Sequence, residues 1–116
     1  MNNMNDLKRA TILAMTQSQK ICVICRTAAD CRSVREAILE GLVNVRIEHN
    51  TQNFVVGGCI DERGKISNQF TVTFSLLDFP EALNGRAYDK VLVSPLVQRE
   101  MSISDNIHRL ITEKLL

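Results

Sequence analysis

The stretch that most restricts the fold is Ile21-Cys22-Val23-Ile24-Cys25, five consecutive apolar residues set between Lys20 and Arg26. A run this short, carrying β-branched side chains and no polar position, reads as a buried strand. Strand geometry then decides what its two cysteines can do. A C-x-x-C pair signals zinc or redox chemistry in many chains. In a strand, however, residues three apart point to opposite faces, so Cys22 and Cys25 are not placed to chelate one ion. There is no second C-x-x-C, and redox versions of the motif open a helix, whereas Cys25 closes a strand. All four cysteines (Cys22, Cys25, Cys31 and Cys59) are therefore expected to be small buried hydrophobes with reduced thiols, which suits a cytoplasmic location. No metal and no cofactor is expected.

The segments around this strand define the rest. A helix is expected from Asn5 or Asp6, with Asn5 as its N-cap and Leu7, Ala10, Ile12, Leu13 and Met15 as its stripe, ending at Thr16–Gln19. After the strand, Arg26-Thr27 turns into a helix over Ala28–Leu42, in which Cys31, Val34, Ile38 and Leu42 recur at helical spacing. Thr27 and Asp30 resemble a capping box with Asp in place of Glu or Gln, and Gly41 lies where a C-terminal cap belongs. Val43–His49 alternates as a strand. Asn50–Asn53 is a turn, Phe54–Val56 a strand, and Gly57-Gly58 a bend or bulge. Asp61-Glu62-Arg63-Gly64 is a hairpin tip, followed by a strand over Gln69–Phe74. Residues 76–87 read as irregular or a short helix, and Lys90–Ser94 as a strand stopped by Pro95. A last helix, capped by Ser102 or Ser104, has Ile103, Ile107, Leu110, Ile111 and Leu115 as its stripe.

This order predicts an α/β fold, with α+β as the variant: a mixed sheet of about five strands, one β-α-β unit joining Ile21–Cys25 to Val43–His49, central antiparallel hairpins, and helices packed on the sheet. With 116 residues the chain is read as one domain, 1–116, frayed over residues 1–5. Aromatic residues are 4% of the chain, so the core is expected to be aliphatic. No stretch approaches the length that spans a bilayer, and no membrane is expected as a partner.

The net charge is +1, from 14 basic and 13 acidic side chains, so nucleic-acid binding by a strongly basic surface is not indicated. A local patch remains open. Arg26, Arg32 and Arg35 lie just past the C-terminal end of the first strand and on the next helix, the edge of a β-α-β sheet where ligands bind. They are the candidates for an anion or nucleic-acid contact, against the plainer reading of a solvated helix face. Asp61-Glu62 has turn composition, and Asp78 and Glu81 show no convergence, so no catalytic residue is assigned. Gly57-Gly58 precedes a strand and does not form a phosphate loop. Ile107, Leu110, Ile111 and Leu115 are read as core or as a dimer face.

Two segments resemble a known family. Lys20–Thr27 with the helix Ala28–Leu42 looks like the strand-and-helix unit that follows the nucleotide-binding loop in helicase- and terminase-type P-loop ATPases. Ala87-Tyr88-Asp89-Lys90-Val91-Leu92-Val93-Ser94 resembles the Walker B strand of that family. The phosphate loop is absent, and Ser94-Pro95 stands where the Walker B acids belong, so ATP hydrolysis does not carry over. The resemblance implies a degenerate or truncated relative used for binding; a small Asn- and Gln-rich chain also suits a phage or other mobile element. The expected function is a non-enzymatic interaction or regulatory module whose partner is another protein or a second copy of the chain. The alternative is a nucleic-acid-associated accessory protein.

Overall fold

A computed structural model describes residues 4–17, 19–51, 53–76 and 88–101. The elements run α1 (Met4–Gln17), β1 (Lys20–Cys25), α2 (Ala28–Glu40), β2 (Val45–Asn50), β3 (Phe54–Ile60), β4 (Ile66–Leu76), β5 (Lys90–Val93) and α3 (Pro95–Met101). The strands form one five-stranded sheet in the order β2-β3-β4-β1-β5, the mixed α/β sheet that the pattern of apolar runs implies.

The apolar run occupies the position its composition demands. β1 lies between β4 and β5 and is parallel to both, with Ile21 beside Val72 and Lys90, and Val23 beside Phe74 and Leu92. Helices cover it on both sides, so its five apolar residues are at most 1% exposed. Burying each Ile or Val here contributes roughly 1.5–3 kcal/mol. Alternation along the strand sends Ile21, Val23 and Cys25 into one cluster, with Leu7, Ala14 and Met15 of α1 and Val34 and Ile38 of α2. Cys22 and Ile24 enter a second cluster on the other face, with Val97 of α3. The two cysteines of the C-x-x-C thus lie on opposite faces of the sheet.

The parallel partners of β1 differ from the expected ones. β2, which follows α2 in sequence, lies at the far edge, separated from β1 by β3 and β4. β2, β3 and β4 form an antiparallel meander, and the meander returns the chain to β1. The faces of β2 explain its place: Val45 and Ile47 are half-buried while Arg46, Glu48 and His49 are exposed, an alternation suited to a strand that is covered on one face only.

Local boundaries also shift. α1 begins at Met4, so Asn5 lies inside it and does not serve as its cap. β3 is continuous through Gly57 and Gly58; one register shift falls beside Gly57, between the pairs Ile47–Gly57 and His49–Val56, with its extra residue on β2, and the other falls between Cys59 and Ile60. The two glycines serve close approach: a Cβ on Gly57 would lie 2.6 Å from the Arg46 carbonyl oxygen, and one on Gly58 would lie 2.7 Å from Ile66 Cγ2. Pro95 ends β5 but opens α3 at its first position, where its missing N–H costs nothing. The expected helix over Ile103–Leu115, including Ile107, Leu110, Ile111 and Leu115, lies outside the described residues, as do Asp78 and Glu81. Among the described residues no helix is long and apolar enough to cross a membrane.

Candidate functional site

β1, β4 and β5 are parallel, so their C-terminal ends share one edge of the sheet, and the N-termini of α2 and α3 start there. Thr27 caps α2: in extended backbone at φ −139°, its Oγ1 accepts the Asp30 N–H at 3.1 Å. Asp30 reaches back, as in a capping box, but its Oδ2 accepts the Arg26 N–H at 2.8 Å, one residue before the cap. The same Oδ2 accepts the Ser94 hydroxyl at 2.5 Å. Ser94 in turn caps α3: its Oγ accepts the Val97 N–H at 3.3 Å, and its own N–H donates to the Ile24 carbonyl at 2.9 Å. One carboxylate oxygen therefore joins the starts of two helices that lie on opposite faces of the sheet. Both residues are buried, Ser94 completely and Asp30 to 7% exposure.

Beside this junction is a pocket of about 100 Å³ lined by Ala28, Cys31, Arg32, Arg35, Asn53, Phe74 and Leu76. Phe74 and Leu76 come from the end of β4, Cys31, Arg32 and Arg35 from α2, and Asn53 from the β2–β3 turn. Arg35 holds this turn in place: its Nη1 donates to the Thr51 carbonyl at 2.7 Å and to Asn50 Oδ1 at 3.3 Å. Thr51 Oγ1 accepts the N–H groups of Asn53 and Phe54, which closes the turn on itself. The result is an apolar floor with guanidinium groups at its rim.

Of the three arginines singled out in the sequence, Arg32 and Arg35 meet at this pocket. Arg26 does not line it; its backbone N–H is committed to Asp30. Sequence reasoning missed Ser94 as a partner of Asp30. The Ser-Pro pair before an apolar stretch is an N-cap signature, and it was the signal available for Ser94.

The thiols differ in environment. Cys22 is pushed up to about 12, chiefly by burial and secondarily by the nearby Cys31. Cys25 is pushed far up, first by the hydrogen bond it shares with Cys31 and then by burial. Cys31 is lowered, because the same hydrogen bond stabilises its thiolate and the Arg35 charge adds to it, against burial and the Asp30 charge. Cys31 and Cys59 are half-buried, more open than the buried hydrophobes expected from the sequence. Asp61 serves its turn: Oδ1 accepts the N–H groups of Arg63 and Lys65 at 2.9 Å each. Among the described residues no three His, Cys, Asp or Glu side chains converge to hold a metal ion.

Compared with known proteins, the chain matches no family model, no curated protein and no solved structure.

Proposed function

We propose that this chain is a non-enzymatic interaction module that grips a protein partner at the C-terminal edge of its sheet. The observation that carries this reading is the pocket itself, an apolar floor of Ala28, Phe74 and Leu76 under the guanidinium groups of Arg32 and Arg35. Such a surface suits an apolar side chain flanked by acidic residues, which gains burial from the floor and charge complementarity from the rim. The buried polar pair beside it, Asp30 and Ser94, supports a binding role: its oxygens are engaged in holding α2 and α3 together.

Calorimetric titration with a short peptide carrying Leu between glutamates tests this, alongside the same peptide with lysines and a single-stranded oligonucleotide. The acidic peptide is expected to bind, and Arg32→Glu to weaken it several-fold. Binding of the oligonucleotide alone, falling steeply with salt, would replace this reading with that of a nucleic-acid accessory protein.

A further inference from the structure

We propose that the apolar side chain received by this pocket is the last residue of a partner chain, with the partner's terminal carboxylate held by Arg32 and Arg35. This rests on the reading of the pocket as a protein-binding site and names the part of a protein that it takes.

Three features of the pocket match three parts of a chain end. The first is the floor. Ala28, Phe74 and Leu76 line a space of about 100 Å³. An apolar cavity of about 150 Å³ holds benzene, so this space has room for the four side-chain carbons of a leucine.

The second feature is charge. Arg32 and Arg35 are three positions apart on α2, so they are neighbours on one helix face. No carboxylate among the described residues pairs with either guanidinium. Arg35 donates to two neutral oxygens, the Thr51 carbonyl and Asn50 Oδ1. Asp30 is turned to Ser94 and to the Arg26 N–H. Two like charges side by side repel each other, and an anion set between them relieves the repulsion. A chain's α-carboxyl has an ordinary value of about 3.3–3.7 and is ionised at neutral pH.

The third feature is an amide. The backbone of Asn53 is already committed: its N–H donates to Thr51 Oγ1, and its carbonyl accepts the Phe74 N–H. What Asn53 has left to offer a ligand is its side-chain amide, with both donor and acceptor capacity. An extended residue turns its own N–H and C=O to the same side. Asn53 can therefore accept the last N–H of the partner and donate to one carboxylate oxygen, while the guanidinium groups take the other.

Geometry favours the chain end over an acidic neighbour as the source of the anion. Successive side chains of an extended segment point to opposite sides. When a leucine points into the floor, a glutamate before or after it points away, and it reaches the rim only by folding back at a cost in rotamer freedom. The α-carboxylate is bonded to the Cα of the very residue that fills the floor, so the same anchoring delivers it to the rim.

Fluorescence anisotropy with four labelled peptides tests this. One ends in Ser-Gly-Leu with a free carboxylate, the second is its amide, and the third is the free acid with Gly replacing the last Leu. The fourth carries an internal Leu between glutamates, with both ends capped. The free acid is expected to bind about tenfold tighter than the amide, as charge-assisted bonding to a guanidinium fork implies, and tighter than the glutamate-flanked peptide. The Gly-ended peptide should lose about tenfold or more with its floor contact. Arg32→Gln should weaken the free acid and leave the amide nearly unchanged, which shrinks the preference between them. Asn53→Ala should weaken both by a similar factor, because both carry the last N–H and an oxygen beside it. Both substituted residues are exposed, and circular dichroism checks the fold of each variant. Equal binding of acid and amide, or a preference for the acid that Arg32→Gln leaves intact, overturns the chain-end inference. If the glutamate-flanked peptide still binds in that case, the protein-binding role of the pocket stands without it. Failure of all four peptides to bind overturns both.

Discussion

Asp30 Oδ2 accepts the Ser94 hydroxyl at 2.5 Å, although the two residues are separated by 64 positions in the chain. The bond sits where β1 and β5 end side by side, and it makes the start of α3 depend on the start of α2. Each of its members also serves a backbone N–H, of Arg26 or of Val97. Removing either one leaves donors in a dry place without their acceptor.

The two residues are therefore expected to be energetically coupled. Asp30→Ala should cost about 2–3 kcal/mol in urea denaturation, the range for a buried bond to a charged group together with a lost cap. Ser94→Ala should cost about 1–2 kcal/mol by the same reasoning. The double variant should fall short of the sum by at least about 0.5 kcal/mol. Strict additivity would show that the bond contributes nothing of its own.

Asp89 gives the fold an acid dependence. Its carboxylate accepts the backbone N–H of Lys20 and of Gln19, each at 3.0 Å, and these bonds hold it below its usual value of 3.8. A depressed carboxylate contributes stability that is fully present above the unfolded value and is lost as pH falls through the folded one. Stability should therefore drop as pH falls from about 4, and Asp89→Asn should show a shallower drop over that range. Identical acid-unfolding profiles for the two chains would contradict this.

The glycines divide by mechanism. Gly57→Ala places a Cβ 2.6 Å from the Arg46 carbonyl oxygen in a buried strand, so the backbone must move, at about 1–3 kcal/mol. Gly64 has open space around it but a φ of +78°, so Gly64→Ala should cost only about 1–2 kcal/mol, and Gly64→Asn less. Thermal denaturation that ranked Gly64→Asn below Gly57→Ala would reverse this assignment.

Thiol reactivity should follow burial and charge. In the native protein at pH 8, iodoacetamide should label Cys31 first, then Cys59, with Cys22 untouched until unfolding because burial pushes it up to about 12. Labelling of Cys22 at the rate of Cys59 would place β1 nearer the surface than the sheet order allows.

Much of this was legible in the sequence because it is local. The apolar run announced a central strand, Thr27 and Asp30 announced the start of α2, and Asp61–Gly64 announced the β3–β4 turn. What periodicity reports is which side chains share a face; it does not report which strand lies beside which. The alternation in β2 is compatible with any half-covered position, so the choice of β4 and β5 as the parallel neighbours of β1 had no local signal. The same holds for Ser94. Its role as a cap was written in Ser94-Pro95, but its bond to Asp30 exists only once two distant strands align. Gly57 and Gly58 look the same in sequence whether they bend a strand or admit a neighbouring chain, and only the packing of Arg46 and Ile66 against them decides.

The central claim is that the edge formed by α2, the end of β4 and the β2–β3 turn receives a partner's acidic and apolar side chains. Amide chemical-shift mapping during titration with the glutamate-flanked Leu peptide tests it most directly. Shifts concentrated at Ala28, Cys31, Arg32, Arg35, Asn53 and Leu76, and abolished by Arg32→Glu, are the predicted result. Shifts centred instead on Lys20, Glu48 and Gln69, which line a separate groove, would contradict it.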